Sequence, residues 1–279
     1  MTYWVWLAGL SALFIALERL WPRDARQRFA RPGIVTDLFY MVFNGHWLGV
    51  ALALLTEPLA RALDAALAAQ GVTLHLRVAA AWPWGVQLAV AFVAIDLIQW
   101  SIHNLLHRVP ALWALHKVHH SIQHMDFWGS MRFHLGEVLV YRSLQYVPLA
   151  LLGFDGRALF VIAVVSTAIG HLNHANLRVR MGWLRYVLNG PEMHIWHHAH
   201  PSAGPVNVNF GINLAVWDWL FGTAHLPRDG SVPRALGFEG IESFPRDPLR
   251  QELWGPWARS ERVVDGRAVV ADRPDVAGA

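Results

Sequence analysis

Histidine is concentrated in two short groups that share one pattern. Thirteen of the 16 histidines fall between positions 103 and 200. The segments 116–120 (HKVHH) and 194–198 (HIWHH) both read H-x-x-H-H. In an α-helix, residues i, i+3 and i+4 lie on one face, so each segment would present three imidazoles to one side. Neutral imidazole is the commonest metal ligand in proteins, and the repeat therefore predicts a metal centre.

Two histidine pairs complete the set of candidate ligands. His103 and His107 are four residues apart, and His171 and His174 are three apart, so each pair would share a helical face. So many imidazoles exceed what one tetrahedral site takes, which favours a dinuclear centre. Imidazole suits iron, zinc and copper. The candidate metal ligands are His103, His107, His116, His119, His120, His171, His174, His194, His197 and His198.

Polar residues near these groups are candidates for orienting the metal ligands or for taking part in catalysis. A ligating histidine usually donates its second N–H to a carboxylate or carbonyl. Asp96, Asp126, Glu137, Asn176 and Asp218 are near enough in sequence to accept it. Glu137, Asn176 and Asp218 are the predicted catalytic residues. For Asp96 and Asp218, a place at a helix end or an interface is an equal alternative.

The other histidines have plainer interpretations. His46, His75 and His225 are isolated, as core or interface histidines usually are. His124 and His200 follow the two triplets and are more often bystanders than ligands. His134, in the segment RFHLGE, is equally consistent with a ligand and with a group that lies behind a ligand or on the substrate side.

The composition indicates a membrane protein. Of the 279 residues, 54% are hydrophobic and 15% are charged, whereas soluble domains carry about a quarter charged residues. The chain has 15 Trp, a residue enriched at bilayer interfaces. It has no Cys, which excludes disulfides, thiolate nucleophiles and cysteine-ligated clusters. The basic residues do not gather on one face, so the sequence predicts no nucleic-acid partner.

Apolar segments predict the fold and its orientation. Residues 3–21, 38–59 and 84–100 are long enough to span a bilayer, and 138–170 reads as a hairpin broken by LGFDGR. The Arg-rich loop after residue 21 is predicted to be cytoplasmic by the positive-inside rule. Every histidine group then lies on that side. We predict an all-α integral-membrane bundle of about four membrane helices or hairpin segments, with a cytosolic histidine-rich helical cap.

Three regions follow from this organisation. Residues 1–83 are predicted to form N-terminal membrane helices and residues 84–225 the catalytic domain. Residues 226–279, rich in Pro, Arg and Asp, are predicted to be a surface-wrapping or partly disordered tail. The absence of an organelle signal and the Arg- and Ala-rich composition favour a bacterial inner membrane.

The ordered motifs resemble one enzyme family. HNLLH, HKVHHS, RFHLGE, HAN, MHIWHH and the NFG…WDWLFGT ending together resemble the fatty acid hydroxylase superfamily, also called the sterol desaturase family, over roughly residues 90–224. Two positions depart from the family pattern. A third box of the form H-x-x-x-H would place His at 170, where this chain has Gly170 before His171. Leu135 replaces a commoner Pro, while Glu137 is retained.

The resemblance implies an activity and its requirements. Such enzymes are membrane non-haem di-iron oxygenases that use dioxygen and two electrons to hydroxylate or desaturate a lipid C–H bond. The implied cofactor is two iron ions, which zinc can replace in purified proteins, and the implied substrate is an acyl, sterol or related lipid. Because the chain has no flavin or haem motif, a separate electron donor such as a ferredoxin or a cytochrome b5-like protein is implied. The hairpin at 138–170 is the expected wall of the lipid channel.

Two other function classes fit the pattern less well. A membrane metal-dependent hydrolase would be expected to carry H-E-x-x-H or a carboxylate between paired histidines, and neither occurs. A metal-ion transporter would place its ligands near the bilayer midplane, whereas these histidines lie at predicted helix ends.

Overall fold

The computed structural model describes residues 3–73, 76–258, 261–264 and 267–270. Almost all regular structure in these ranges is helical. The α-helices are α1 (Tyr3–Leu20), α2 (Ile34–Val42), α3 (Leu48–Ala68), α4 (Trp84–Arg108), α5 (Pro110–His120), α6 (Leu135–Leu151), α7 (Gly156–His174), α8 (Pro191–His197), α9 (Val216–Phe221) and α10 (Pro248–Leu253). A π-helical segment, Phe43–Trp47, joins α2 to α3, and 3-10 turns lie at Phe127–Met131, Gly182–Tyr186, Ile241–Ser243 and Gly255–Trp257.

Four helical segments are long and apolar enough to cross a membrane. They are Tyr3–Leu20, Ile34–Ala68, Trp84–Arg108 and Gly156–His174. Many of their large apolar side chains are exposed, such as Leu54 and Leu55 on α3, as expected where lipid surrounds a helix. The prediction of a helical membrane bundle with about four such segments is confirmed. The second segment is longer than expected, because α2 and α3 are continuous through the π-helical turn.

The predicted break near LGFDGR is a tight turn between α6 and α7. Gly153 adopts φ 80°, and a Cβ there would lie 2.8 Å from Arg77 Cα, so only glycine fits. Asp155 then caps α7 by accepting a hydrogen bond from the Arg157 amide at 2.8 Å. This turn reverses the chain, so that α7 returns to the histidine region and ends at His174.

A second turn sets the angle between α4 and α5. Val109 is extended (φ −95°, ψ 119°) and ends α4, and Pro110 occupies the first position of α5. Proline is favoured there because its fixed φ suits a helix start and its missing N–H is not needed. The last turns of α4 and the whole of α5 thereby bring their histidines together.

The C-terminal region packs against α5. Phe238, Ile241 and Phe244 form a buried cluster with Trp113 and Val118. Lys117 Nζ donates hydrogen bonds to the carbonyl oxygens of residues 256 and 258, at 3.2 and 2.6 Å. Further along, an antiparallel hairpin of β1 (Glu261–Val264) and β2 (Arg267–Val270) adds the two strands of the described chain, which the sequence did not predict. The three predicted domain boundaries stay a prediction.

Candidate metal centre

The structure brings nine of the ten candidate ligands together in two groups. In each group the nearest ring nitrogens all lie within 4.8 Å of one another, and every member is buried. The five-histidine site contains His103, His107, His116, His120 and His197. The four-histidine site contains His119, His174, His194 and His198. Each group is a set of nitrogen donors of the size that one metal ion takes.

Each H-x-x-H-H triplet is divided between the two sites. On α5, His116 and His120 join the five-histidine site while His119 joins the other. At α8 the division is reversed, because His194 and His198 belong to the four-histidine site and His197 to the five-histidine site. At about 100° per residue, positions i+3 and i+4 point about 100° apart. The i, i+4 pair can therefore bind one ion while the i+3 residue binds the ion of the other site.

The two nitrogens of a ring point in different directions. The Nε2 atoms converge, with His103 and His116 at 3.1 Å, and His174 and His194 at 3.3 Å. Five of the Nδ1 atoms point outward to acceptors. Five such contacts, from 2.8 to 3.1 Å, are His103 to Phe210 O, His116 to Glu137 Oε1, His119 to Arg132 O, His174 to Gly170 O and His197 to Val208 O. An Nδ1–H held this way leaves the Nε2 lone pair free for a metal.

Burial keeps these imidazoles neutral. It lowers the pKa of all six triplet histidines well below the usual value, and repulsion among neighbouring rings lowers the pKa further. The affected residues are His116, His119, His120, His194, His197 and His198. A neutral imidazole is the form that binds metal, so the groups are ready to coordinate at pH 7.

Glu137 supports the five-histidine site. It lies in the first turn of α6, is fully buried, and accepts the His116 Nδ1–H at 2.8 Å through Oε1. Its Oε2 is buried without a hydrogen-bond partner among the described residues. A carboxylate behind a ligating imidazole fixes the ring and raises its basicity. Glu137 thus acts on the site through His116, and its catalytic role stays a prediction.

A cavity of about 540 Å³ opens beside the four-histidine site. His119, His174 and His194 form one end of it together with His103 and His116 of the five-histidine site, and it extends along α7 as far as Gly156. Eighteen residues of helix separate Gly156 from His174, or about 27 Å. A cavity of this length between apolar helices has the shape expected for a lipid chain.

Comparisons with known proteins agree with this geometry. Residues 88–223 match the family model described as fatty acid hydroxylase. This part of the chain is a fatty acid hydroxylase domain. An ornithine lipid hydroxylase, OlsE, of Rhizobium tropici is 35% identical over 146 residues, which are 52% of this chain and 44% of that protein. Alkylglycerol monooxygenases of Danio rerio and Homo sapiens are each 28% identical over 144 residues, 51% of this chain and 30% of theirs.

The extent of these matches is limited. The chain spans less than half the length of these relatives. No solved structure matches the chain significantly. The predicted family resemblance is confirmed, and the matched range agrees with the predicted range of roughly 90–224.

Asp218 positions a ligand of the hydroxylase domain from a distance. It accepts hydrogen bonds from the Phe210 amide (2.9 Å), the Gly211 amide (2.7 Å), Trp100 Nε1 (3.0 Å) and Thr223 Oγ1 (2.6 Å). These bonds fix the NFG loop, whose Phe210 carbonyl receives the His103 Nδ1–H. Asp218 itself contacts neither histidine site, and its catalytic role stays a prediction.

Two further predicted site residues lie apart from both groups. The Asn176 amide pairs with the main chain of Asp24, accepting from N and donating to O at 3.0 Å each, and so ties the end of α7 to the loop after α1. His171 belongs to neither group: its Nδ1 bonds Ser130 Oγ at 2.8 Å, and its buried Nε2, beside the cavity, has no partner among the described residues. The structure thus places His171 on the cavity side of the metal centre.

The remaining histidines also lie outside the two groups. His134 caps α6 by accepting from the Gly136 amide, and its Nε2 contacts the Glu252 carbonyl at 2.9 Å. His46 lines the cavity, and His225 packs against Trp196. His75 lies outside the described residues.

A buried ion-pair network, which the sequence alone does not predict, supports the four-histidine site. Arg31 pairs with Asp126 and with Asp37 Oδ2 at 2.7 Å, and Arg132 Nε donates to Asp37 Oδ1 at 2.7 Å. The main-chain carbonyl of Arg132 accepts the His119 Nδ1–H. Arg31 lies in the Arg-rich loop on which the predicted orientation rests, yet it is only 5% exposed. Asp126 is 95 residues away from Arg31 in the sequence, so no local pattern could reveal this pairing.

Proposed function

We propose that the chain is a di-iron lipid hydroxylase of the membrane. The observation that carries the proposal is the division of nine buried histidines into two adjoining ligand groups, both of which contribute to the lining of a lipid-sized cavity. The fatty acid hydroxylase domain and the lipid-oxidising relatives support the same reaction class. The balanced reaction is R–H + O₂ + 2e⁻ + 2H⁺ → R–OH + H₂O.

The donor set fits iron. Buried, neutral, all-nitrogen ligands suit iron, and zinc can occupy the same ligands in purified protein. Iron bound there would supply the reduction of dioxygen that the hydroxylation requires. The nine histidines would hold the ions, while Glu137 would orient His116 and Asp218 would orient His103 through the Phe210 carbonyl.

The cavity would position the lipid and exclude water. Phe133 stacks on His119 with ring centroids 4.6 Å apart and an interplanar angle of 12°, so it forms an apolar wall at the end near the ligands. An alkyl chain lying along α7 would displace water from this wall. Excluding water protects a strongly oxidising site from side reactions.

Electrons would come from a separate protein. The chain contains no Cys, so it cannot hold a cysteine-ligated iron–sulfur cluster. We propose a ferredoxin or a cytochrome b5-like donor that docks on the cytoplasmic face of a bacterial inner membrane. Labelling of a single cysteine introduced into the loop at residues 24–30 tests the orientation in inside-out vesicles, and labelling only from the opposite side would refute it.

A single experiment tests the proposed reaction. The full chain is purified anaerobically, its iron and zinc are counted per chain, and it is then given dioxygen, a reductase with ferredoxin, and lipid extract. A lipid product that gains one oxygen atom supports hydroxylation, whereas a product that only loses two hydrogens indicates desaturation. Lipid cleavage without dioxygen would instead identify a hydrolase.

A matched pair of variants gives the control. His119→Ala removes a ligand of the four-histidine site and should abolish turnover. His200→Ala removes a histidine outside both groups and should leave turnover near the parent level. Equal turnover in the two variants would exclude the histidine groups as the reaction centre.

A further inference from the structure

One face of α6 presents polar side chains to the cavity. Tyr141, Arg142, Gln145 and Tyr146 recur at the spacing of one helical turn and all line it. Polar and ionisable side chains between membrane helices are costly and usually mark a substrate path. A cavity that held only an alkyl chain would need none of these groups.

Arg142 has no acidic partner. Among the described residues, no carboxylate or other group forms a salt bridge or hydrogen bond with its guanidinium, which is half-buried. A Cβ on Gly49 of α3 would lie 3.4 Å from Arg142 Nη1, so the guanidinium is held close to that helix. A cation in such surroundings favours an anionic ligand.

Gln145 adds a second unused donor beside Arg142. It is 3% exposed, and its Oε1 accepts from Gln99 Nε2 at 3.5 Å. Gln99 is oriented in turn, because its Oε1 accepts from Asn213 Nδ2 at 3.3 Å. This relay of amides leaves Gln145 Nε2 buried with no acceptor among the described residues. An unsatisfied buried donor is costly, so the position calls for an acceptor that a ligand would supply.

We propose that Arg142 and Gln145 form a head-group subsite that binds the anionic group of an amphiphilic lipid. The subsite would select the lipid substrate of the proposed hydroxylation, and the inference rests on that proposed function for the reaction itself. Both side chains are hydrogen-bond donors, one of them is a cation, and both line the cavity that reaches His119 and His174. A carboxylate or phosphate monoester on a lipid would satisfy both at once.

The position of the subsite also predicts which carbon is oxidised. Arg142 lies five residues after Glu137 on α6, or about 7.5 Å along the helix axis. Glu137 contacts the ligand His116 directly. A head group held at Arg142 therefore lies between one and two helical turns along α6 from the residue that supports His116. The oxidised C–H bond should be near the head group and not at the far end of the acyl chain.

The test compares two probes that differ only in the head group. Equilibrium binding of radiolabelled oleate and of oleyl alcohol is measured on the full chain in dodecyl maltoside micelles at pH 9, where the carboxylate is ionised. Arg142→Gln should weaken oleate binding roughly ten- to hundredfold and leave oleyl alcohol binding unchanged. Arg142→Lys should recover part of the loss, and Gln145→Leu should show a smaller loss for oleate alone.

Controls separate this proposal from its alternatives. Arg61→Gln changes the net charge equally at an exposed residue of α3 and should not alter oleate binding. Equal losses for oleate and oleyl alcohol in Arg142→Gln, or no loss for either, would overturn the subsite. Displacement of oleate by equimolar acetate or inorganic phosphate would show a site for free anions and would also overturn the lipid assignment.

The binding test needs no turnover, so it fails independently of the proposed reaction. A chain that binds oleate through Arg142 but oxidises no lipid would retain the subsite and lose the hydroxylase function. A chain that hydroxylates lipids with unchanged efficiency and position in Arg142→Gln would retain the function and lose the subsite.

Discussion

The five-histidine and four-histidine sites share two short helices but differ in their surroundings. The five-histidine site draws on α4, α5 and α8, and its outer side faces a small cleft of about 40 Å³ beside Trp113 and Phe238. The four-histidine site draws on α5, α7 and the end of α8, and three of its members line the 540 Å³ cavity. His103 and His116 of the five-histidine site line the same cavity. Both sites thus meet the space where a lipid would lie, and the four-histidine site contributes more of its lining.

The two sites also differ in the hydrogen-bond acceptors that hold the outer ring nitrogens of their histidines. His116 of the five-histidine site has a carboxylate behind it, Glu137, whereas His119 and His174 of the other site have only main-chain carbonyls. In addition, Nδ1 of His194 and of His198 has no partner among the described residues. The four-histidine site therefore offers fewer ligands and weaker outer support. We infer that it leaves more coordination positions open, as sites that bind a reactant do.

Removing one equivalent ligand from each site should give the largest effect. His120 and His198 are both the last histidine of their triplet, but they belong to different sites. His198→Ala leaves three nitrogen donors and should lose about one metal ion per chain, with turnover falling below detection. His120→Ala leaves four donors and should retain more metal. Metal counting by mass spectrometry after dialysis checks both, and equal losses would contradict the difference in ligand number.

Glu137→Gln should act on the five-histidine site alone. The amide keeps the shape of the carboxylate but lacks its charge, so His116 loses basicity. Loss of such an outer partner costs roughly 10- to 100-fold in metal affinity. Competition with a chelator should show one metal released early and one unchanged. Early release of both metals would mean that the two sites are coupled through α5.

Asp218→Asn should have a smaller effect in the same site. The amide cannot accept from all four donors that surround Asp218, so the NFG loop should shift and weaken the contact between Phe210 O and His103. One lost buried acceptor costs about 1–3 kcal/mol of stability. A lower melting temperature with a milder loss of chelator resistance than Glu137→Gln is expected. Unchanged chelator resistance would mean that the loop is structural only.

The sequence predicted these two sites unevenly. The spacing of His103/His107 and of the triplets follows from helix geometry, so a two-metal arrangement and the membrane helices could be predicted from local pattern alone. The division of each triplet between sites could not, because it depends on how α5 and α8 face each other. The pairs of Arg31 with Asp126 and of Arg132 with Asp37 join distant segments, as do the amide relay behind Gln145 and the packing of Phe238 on α5. The local periodicity of a sequence does not predict such long-range contacts.

Protonation should affect the two sites equally, and the contribution of a single histidine to it is the smallest predicted effect. Burial lowers the pKa of His120 and of His198 well below the usual value in the folded chain. The unfolded chain therefore binds more protons below pH 6.5, so the stability present above that pH is lost as the pH falls. Between pH 8 and 6, each of the six triplet histidines should contribute about 0.8 kcal/mol to this loss in metal-free protein.

Urea unfolding of the metal-free chain in detergent measures this loss. His120→Ala and His198→Ala should each reduce the pH dependence by the same amount, about 0.8 kcal/mol. Equal reductions would show that both sites hold neutral imidazoles alike, so that their difference lies in ligand number and surroundings. A larger reduction in His120→Ala than in His198→Ala would mean that water from the cavity already reaches the four-histidine site. His198 would then be less strongly desolvated than His120.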